Sequence, residues 1–231
     1  MTRYVPRNKI FKKSQKWTQI LINDKPEILN DLISNHIDLP GVLDVEWLSP
    51  LKDDCYAEYR GTRSKKGGDC AFLDILGLSL EKVPLKNFWP DLGPQWDALG
   101  KYDEEYYFIV ESKAYPNEMK GSCGAEEVSR QKITRSLDCV KMYLGVQHDN
   151  DWLNNYYQYA NRIAHLYYLR VLNQAPSYLV FINFINDPDE PTSLTEWNKR
   201  IPMVHKYLGL ESGNNLKEYI LDVFIDVNLL G

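Results

Sequence analysis

Residues 106–114, YYFIVESKA, constrain the fold of this chain more than any other stretch. The run is aromatic and β-branched almost without a break, the pattern of a strand buried on both faces in the middle of a sheet. Two charges then interrupt it, Glu111 and Lys113. Side chains two apart on a strand point to the same face, so the pair sits side by side at the end of a buried element. Burying either charge alone is costly unless it is paired or binds a metal ion. A chain that tolerates such a strand must cover both faces of its sheet and give the two charges a purpose.

The rest of the sequence supplies the cover. Asn23-Asp24-Lys25-Pro26-Glu27 starts a helix that continues through ILNDLI, with proline in its first turn. Residues 43–48 alternate and predict a short strand. Residues 49–80 read as helix-like text broken by Gly61 and Gly67-Gly68. Long helices are predicted over about 123–144 and 152–173, a second buried strand over 177–185, and a last strand over 218–229. Ser193-Leu194-Thr195-Glu196 is a capping box that opens a helix between those two strands. The expected architecture is α/β, a mixed central sheet flanked by helices. The 231 residues suit a single domain, with residues 1–48 as an N-terminal helical extension.

Composition narrows the function classes. No apolar run approaches the roughly 20 residues of a membrane span, and the opening MTRYVPRNKIFKKSQKW lacks the apolar core of a signal peptide. Four cysteines at positions 55, 70, 123 and 139 have no C-x-x-C spacing and read as reduced thiols, which points to the cytoplasm. The four histidines are too scattered for a zinc site. A net charge of −5 speaks against broad electrostatic binding of nucleic acid. Two basic clusters qualify that: Arg3, Arg7, Lys9, Lys12, Lys13 and Lys16 at the start, and Arg60, Arg63, Lys65 and Lys66 beside glycines. Each also reads as an ordinary solvated face.

Asp97 completes the candidate site. Residues 96–99 predict a strand that leaves the Pro90–Pro94 turn, and the polar loop 100–105 would return the chain antiparallel, bringing Asp97 beside Glu111. Two carboxylates offer hard oxygen ligands to Mg²⁺ or Mn²⁺. Such an ion activates a bound water and stabilises a phosphoryl oxygen, and Lys113 adds positive charge beside it. The competing reading is a plain salt bridge between Glu111 and Lys113. A second Glu-x-Lys, Glu118-Met119-Lys120, falls in a loop and lacks the buried strand. An acid/base hydrolase without metal is a further reading, disfavoured because Lys113 should hold both carboxylates ionised.

Asp97 followed by Glu111-Ser112-Lys113 resembles the signature of the PD-(D/E)XK nuclease superfamily. Glu58-Tyr59-Arg60, Phe88-Trp89-Pro90, Gly93-Pro94-Gln95-Trp96-Asp97 and Tyr157-Gln158-Tyr159-Ala160-Asn161-Arg162 are also similar to a family of bacterial proteins of unknown function. That likeness spans about residues 15–228. It implies a restriction-endonuclease-like core, with catalytic roles for Asp97, Glu111 and Lys113 and a metal at Asp97 and Glu111. It further implies an acid on the helix before the sheet, for which Glu58 is the first choice and Glu46 the second. GTRSKKGGDC looks like a basic insertion there. The RecB-like branch of the superfamily implies a glutamine on the following helix, here Gln158, in one polar stripe with Arg162 and His165. The nearby tyrosines read as packing. The implied function is phosphodiester hydrolysis in nucleic acid, DNA ahead of RNA, with a homodimer compatible. The alternative is a catalytically inactive binding or regulatory protein on the same scaffold.

Overall fold

A computed structural model describes residues 13–39, 41–60, 72–80, 82–211 and 215–231, together with the backbone of residues 3–4. Arg7, Lys9, Lys12, Arg63, Lys65, Lys66 and Cys70 lie outside the described residues. The strands are β1 (Arg3–Tyr4), β2 (Glu46–Ser49), β3 (Glu58–Tyr59), β4 (Ala98–Tyr102), β5 (Tyr106–Lys113), β6 (Ser177–Ile185) and β7 (Ile220–Asp226). The helices are α1 (Lys13–Asp24), α2 (Pro26–Ser34), α3 (Phe72–Ile75), α4 (Leu85–Phe88), α5 (Glu127–Leu144), α6 (Tyr157–Tyr167) and α7 (Leu194–Leu208).

Five strands form one mixed sheet in the order β2-β4-β5-β6-β7. β2, β4 and β5 pair antiparallel, while β5, β6 and β7 pair parallel. The charged strand is therefore the central one. Phe108, Ile109 and Val110 are fully buried, each contributing about 1.5–3 kcal/mol of apolar burial. Even-numbered residues of β5 face α1 and α2, where Trp17, Leu21, Leu29 and Ile33 pack with Phe108 and Val110. Odd-numbered residues face α5, α6 and α7, where Leu137, Ile163, Leu166 and Trp197 pack with Ile109. The helical segment before residue 48 thus forms one layer of the core.

Local chemistry accounts for the element ends. The capping box at Ser193 and Glu196 is formed in full, and Gly209, at φ 75°, closes α7 in the left-handed conformation that glycine adopts without penalty. Gly100 is where β2 and β4 crowd: a Cβ there would lie 2.7 Å from Val45 Cγ1. Several expectations need correction. Residues 100–102 continue β4, and the turn shrinks to Asp103, Glu104 and Glu105, the first two at positive φ. Helix α1, whose bounds within the expected helical extension the sequence leaves open, forms because Trp17, Leu21 and Ile22 give it a buried stripe among lysines and glutamines. Among the described residues of 49–80 the helix-like text is mostly not helical: a 3₁₀ turn over Lys52–Asp54, the short β3, and only α3 at the end.

Among the described residues no helix is long and apolar enough to cross a membrane. Cys55, Cys123 and Cys139 are free thiols.

Candidate active site

The site forms where β4 and β5 begin to part. Asp97 N donates to Val110 O at 3.1 Å, extending the ladder one residue beyond the Ala98–Val110 pair. Asp97 therefore lies across from Glu111. Strand β3 is pinned beside it, because Trp96 N donates to Tyr59 O at 3.0 Å. That bridge brings Glu58 to the same place. Glu58 sits on a strand and not on a helix, and it is 3% exposed, so it is no solvated surface acid.

Each carboxylate has its own set of partners. Glu58 accepts hydrogen bonds from the Gln15 side chain at 2.8 Å and from Gln95. Asp97 Oδ2 accepts from Ser112 N at 2.7 Å and from Ser112 Oγ at 3.0 Å. Glu111 is engaged at both oxygens: Lys113 Nζ meets Oε1, and Arg162 Nε and a terminal guanidinium nitrogen both meet Oε2 at 2.6 Å. Arg162 also donates to Gln95 O at 2.7 Å and lies over the Trp96 ring at 4.9 Å. A guanidinium buried to 4% exposure thus has partners at Nε and at one terminal nitrogen, and an aromatic face beside it.

The electrostatics divide the three acids. Burial and the nearby Arg162 and Lys113 act in opposite directions on Glu111; the two cations win and hold its carboxyl below the usual range. Burial pushes the Asp97 carboxyl up to about 8, the Glu111 and Glu58 charges add to this, and Lys113 only partly offsets them. Burial also raises Glu58, against the hydrogen bonds from Gln15 and Gln95. The expectation that Lys113 keeps both Asp97 and Glu111 ionised fails for Asp97. Lys113 is committed to the opposite carboxylate.

Asp97, Glu111, Ser112, Lys113, Arg162 and Gln95 line a cleft of about 580 Å³, with Arg60, Asn161 and Gln158 among its other walls. Gln158 is half-buried and also borders a small cavity of about 10 Å³ beneath, beside Glu111, Lys113 and Asn183. The predicted polar stripe of α6 does not hold together, however. His165 is fully buried among the rings of Phe72, Phe88, Trp89 and Trp96, and burial lowers its pKa to about 3. It is a neutral core residue. Tyr159 stacks on Phe181 with centroids 4.2 Å apart, and Tyr168 is fully buried, so both tyrosines are packing. Glu46 is exposed and pairs with Lys101 at 3.3 Å at the far end of the sheet. Gln15 and Gln95, and the pairing role of Arg162, were not legible in the sequence. A buried Glu111 does demand a cation, and Arg162 lies one helical turn beyond Gln158.

Among the described residues no group of three or more histidine, cysteine or acidic side chains is arranged to hold a metal ion. Two carboxylates suffice for an ion such as Mg²⁺, which keeps several waters. Asp97 and Glu111 provide them, and burial first, with the Glu111 and Glu58 charges after it, keeps the Asp97 carboxyl raised. A hydrated divalent cation at this place would be held chiefly by Asp97, because Lys113 and Arg162 already engage both oxygens of Glu111. Comparison of the chain with protein-family models, curated proteins and solved structures finds no match.

Proposed function

We propose that the chain is a metal-dependent nuclease with a restriction-endonuclease-like core, hydrolysing phosphodiester bonds of nucleic acid, DNA ahead of RNA. The observation that carries the reading is the convergence of Asp97, Glu111 and Lys113 at the end of two adjacent strands, in a cleft that Gln158 also lines. Asp97 and Glu111 would hold Mg²⁺ or Mn²⁺. The ion, when bound, polarises a phosphoryl oxygen and lowers the pKa of a bound water.

The chain's own residues do the rest. Arg162 fixes the Glu111 carboxylate so that it presents a constant geometry. Lys113, tethered to Glu111 Oε1, keeps a positive charge beside the reacting phosphate. Burial raises the Asp97 carboxyl to about 8, so a cation held there would displace a proton near neutral pH. Gln158 offers an uncharged amide to a phosphate oxygen.

The test is cleavage of mixed DNA and RNA substrates with Mg²⁺ or Mn²⁺, run beside metal titration. Lys113→Ala should lower the rate by about 10²–10³-fold, as loss of a transition-state donor does, while metal affinity holds or rises because Glu111 Oε1 loses its competitor. Asp97→Asn should weaken the metal. One observation favours a second reading, a catalytically inactive binding protein: both oxygens of Glu111 are already engaged. A wild type that cuts none of the substrates and binds no metal would establish that reading instead.

A further inference from the structure

Arg60 opens the second basic cluster of the sequence, and the chemistry above gives it no part. It follows β3 directly, is half-buried, and lines the carboxylate cleft. Its Nε donates to Gln95 Oε1 at 2.9 Å. The same amide donates from Nε2 to one oxygen of Glu58, whose other oxygen accepts from the Gln15 amide at 2.8 Å. Gln95 thus stands between the cation and the acid. It holds both and keeps them out of direct contact.

Among the described residues three cations line the cleft, and they differ in what they have left to give. Arg162 is turned to Glu111 and to Gln95 O, and Lys113 is turned to Glu111. Arg60 meets a neutral amide through Nε, and among the described residues its two terminal nitrogens have no hydrogen bond and no ion pair. Fixing a long side chain in this way costs rotamer entropy. A solvated arginine gains little from such a clamp. A guanidinium held at Nε keeps a planar pair of donors whose spacing matches two oxygens of a phosphate.

We infer that Arg60 binds a phosphate of the substrate strand other than the scissile one, and that Gln95 is its positioning residue. Arg60 follows β3 and Lys113 ends β5, with residues 95–97 between them: Tyr59 bridges to Trp96, and Asp97 N reaches Val110 O. Two strand spacings, roughly 10 Å, separate the two backbones. A nucleic-acid strand that meets Lys113 at the reacting phosphate therefore meets Arg60 at a neighbouring one. Resting on the nuclease reading, this assignment narrows the substrate to a chain with a second phosphate beside the cleaved bond. The contact is to backbone and carries no base preference.

The experiment is anisotropy titration of the full chain with short labelled DNA, single-stranded and duplex, with Ca²⁺ in place of Mg²⁺ to suppress hydrolysis. One uncharged methylphosphonate linkage is stepped along the labelled strand. At the Arg60 register the neutral linkage should weaken binding to the wild type about tenfold, the scale of one charge-assisted contact. Arg60→Gln should weaken the intact DNA about as much and show no further loss at that register, while the other registers keep theirs. It should also lower the slope of log affinity against log salt by about 0.7–0.9. Gln95→Leu frees the Arg60 side chain and should erase the same register. Arg60 is half-buried, so its variant remains informative if Gln95→Leu fails to fold. DNA bound by Arg60→Gln with the wild-type salt slope and register profile overturns the phosphate site and leaves the nuclease reading in place. Failure of every strand and duplex to bind the wild type overturns both.

Discussion

β5 and β6 run side by side in parallel register, and at one depth they are filled in opposite ways. Glu111 is the partner of Phe181, and Lys113 is the partner of Asn183. Phe181 meets the stacked ring of Tyr159 and needs nothing more. Glu111, as deeply buried, needs Lys113, Arg162 and, through Arg162, Gln95 and Trp96. The sheet itself has no use for those groups, since a hydrophobe at position 111 would continue the core that its neighbour already makes. Polar groups placed at a structural disadvantage mark function more than stability.

The largest effect should come from breaking the charge pair on one side only. Arg162→Ala leaves Glu111 buried with one partner fewer and should destabilise by about 3–5 kcal/mol in urea unfolding. The double variant Glu111→Leu/Arg162→Met makes β5 resemble β6. It should return to within about 1 kcal/mol of the wild type or exceed it, as apolar replacements of buried pairs do. If the double variant unfolds as readily as Arg162→Ala, the pair is part of the fold and the contrast between the strands is lost.

Asp97 sharpens the comparison through pH. Its carboxyl is raised from the ordinary 3.8 to about 8 by burial and by the neighbouring Glu111 and Glu58 charges. Below the unfolded pKa the group is protonated in both states and costs nothing. As pH climbs from about 4 to about 8, the folded state holds a proton that the unfolded state has released, so stability falls across that window. Asp97→Asn removes the slope. The weaker bond of the amide to Ser112 is a constant offset at both values, so between pH 4 and pH 8 the effect of the substitution on the metal-free protein should move in the stabilising direction by at least about 2 kcal/mol. Thermal unfolding at the two pH values measures it. An equal effect at both would mean that the carboxyl titrates normally.

What the sequence disclosed of this site follows from distance along the chain. The strand 106–114 and the approach of Asp97 to Glu111 depend on period-two alternation and one tight hairpin, which are local. Glu58 was misplaced on a helix because β3 has two residues and is held by β1 and by Trp96, partners that no local pattern announces. The stripe on α6 failed for a different reason. Periodicity places Gln158, Arg162 and His165 on one face, but His165 lies about 10 Å farther along the axis at 1.5 Å per residue. At that depth the cleft has ended and the aromatic core has begun. The direction of a side chain was legible; what it meets was not.

The smallest predicted effect tests how the opposite face of the sheet reaches this site. Thr18, on α1 and 1% exposed, donates to Ser112 Oγ at 2.7 Å, and Ser112 Oγ donates to Asp97 at 3.0 Å. Residue 112 points toward α1 and residue 111 toward α6, so this chain of hydroxyls passes between the two layers. Thr18→Val keeps the β-branched shape and removes only the hydroxyl. The hydroxyl's single proton is shared between Ser112 Oγ and Ser14 O, which lies 2.8 Å away, so the loss should cost about 1 kcal/mol, the usual net worth of one buried hydrogen bond. The informative quantity is its coupling to Asp97→Asn in a double-mutant cycle near neutral pH. A chain that orients Asp97 should give a coupling of at least about 0.5 kcal/mol, because Ser112 responds to both partners. Additivity within about 0.3 kcal/mol would mean that α1 only covers the sheet, and that Asp97 is held by Ser112 without help from Thr18.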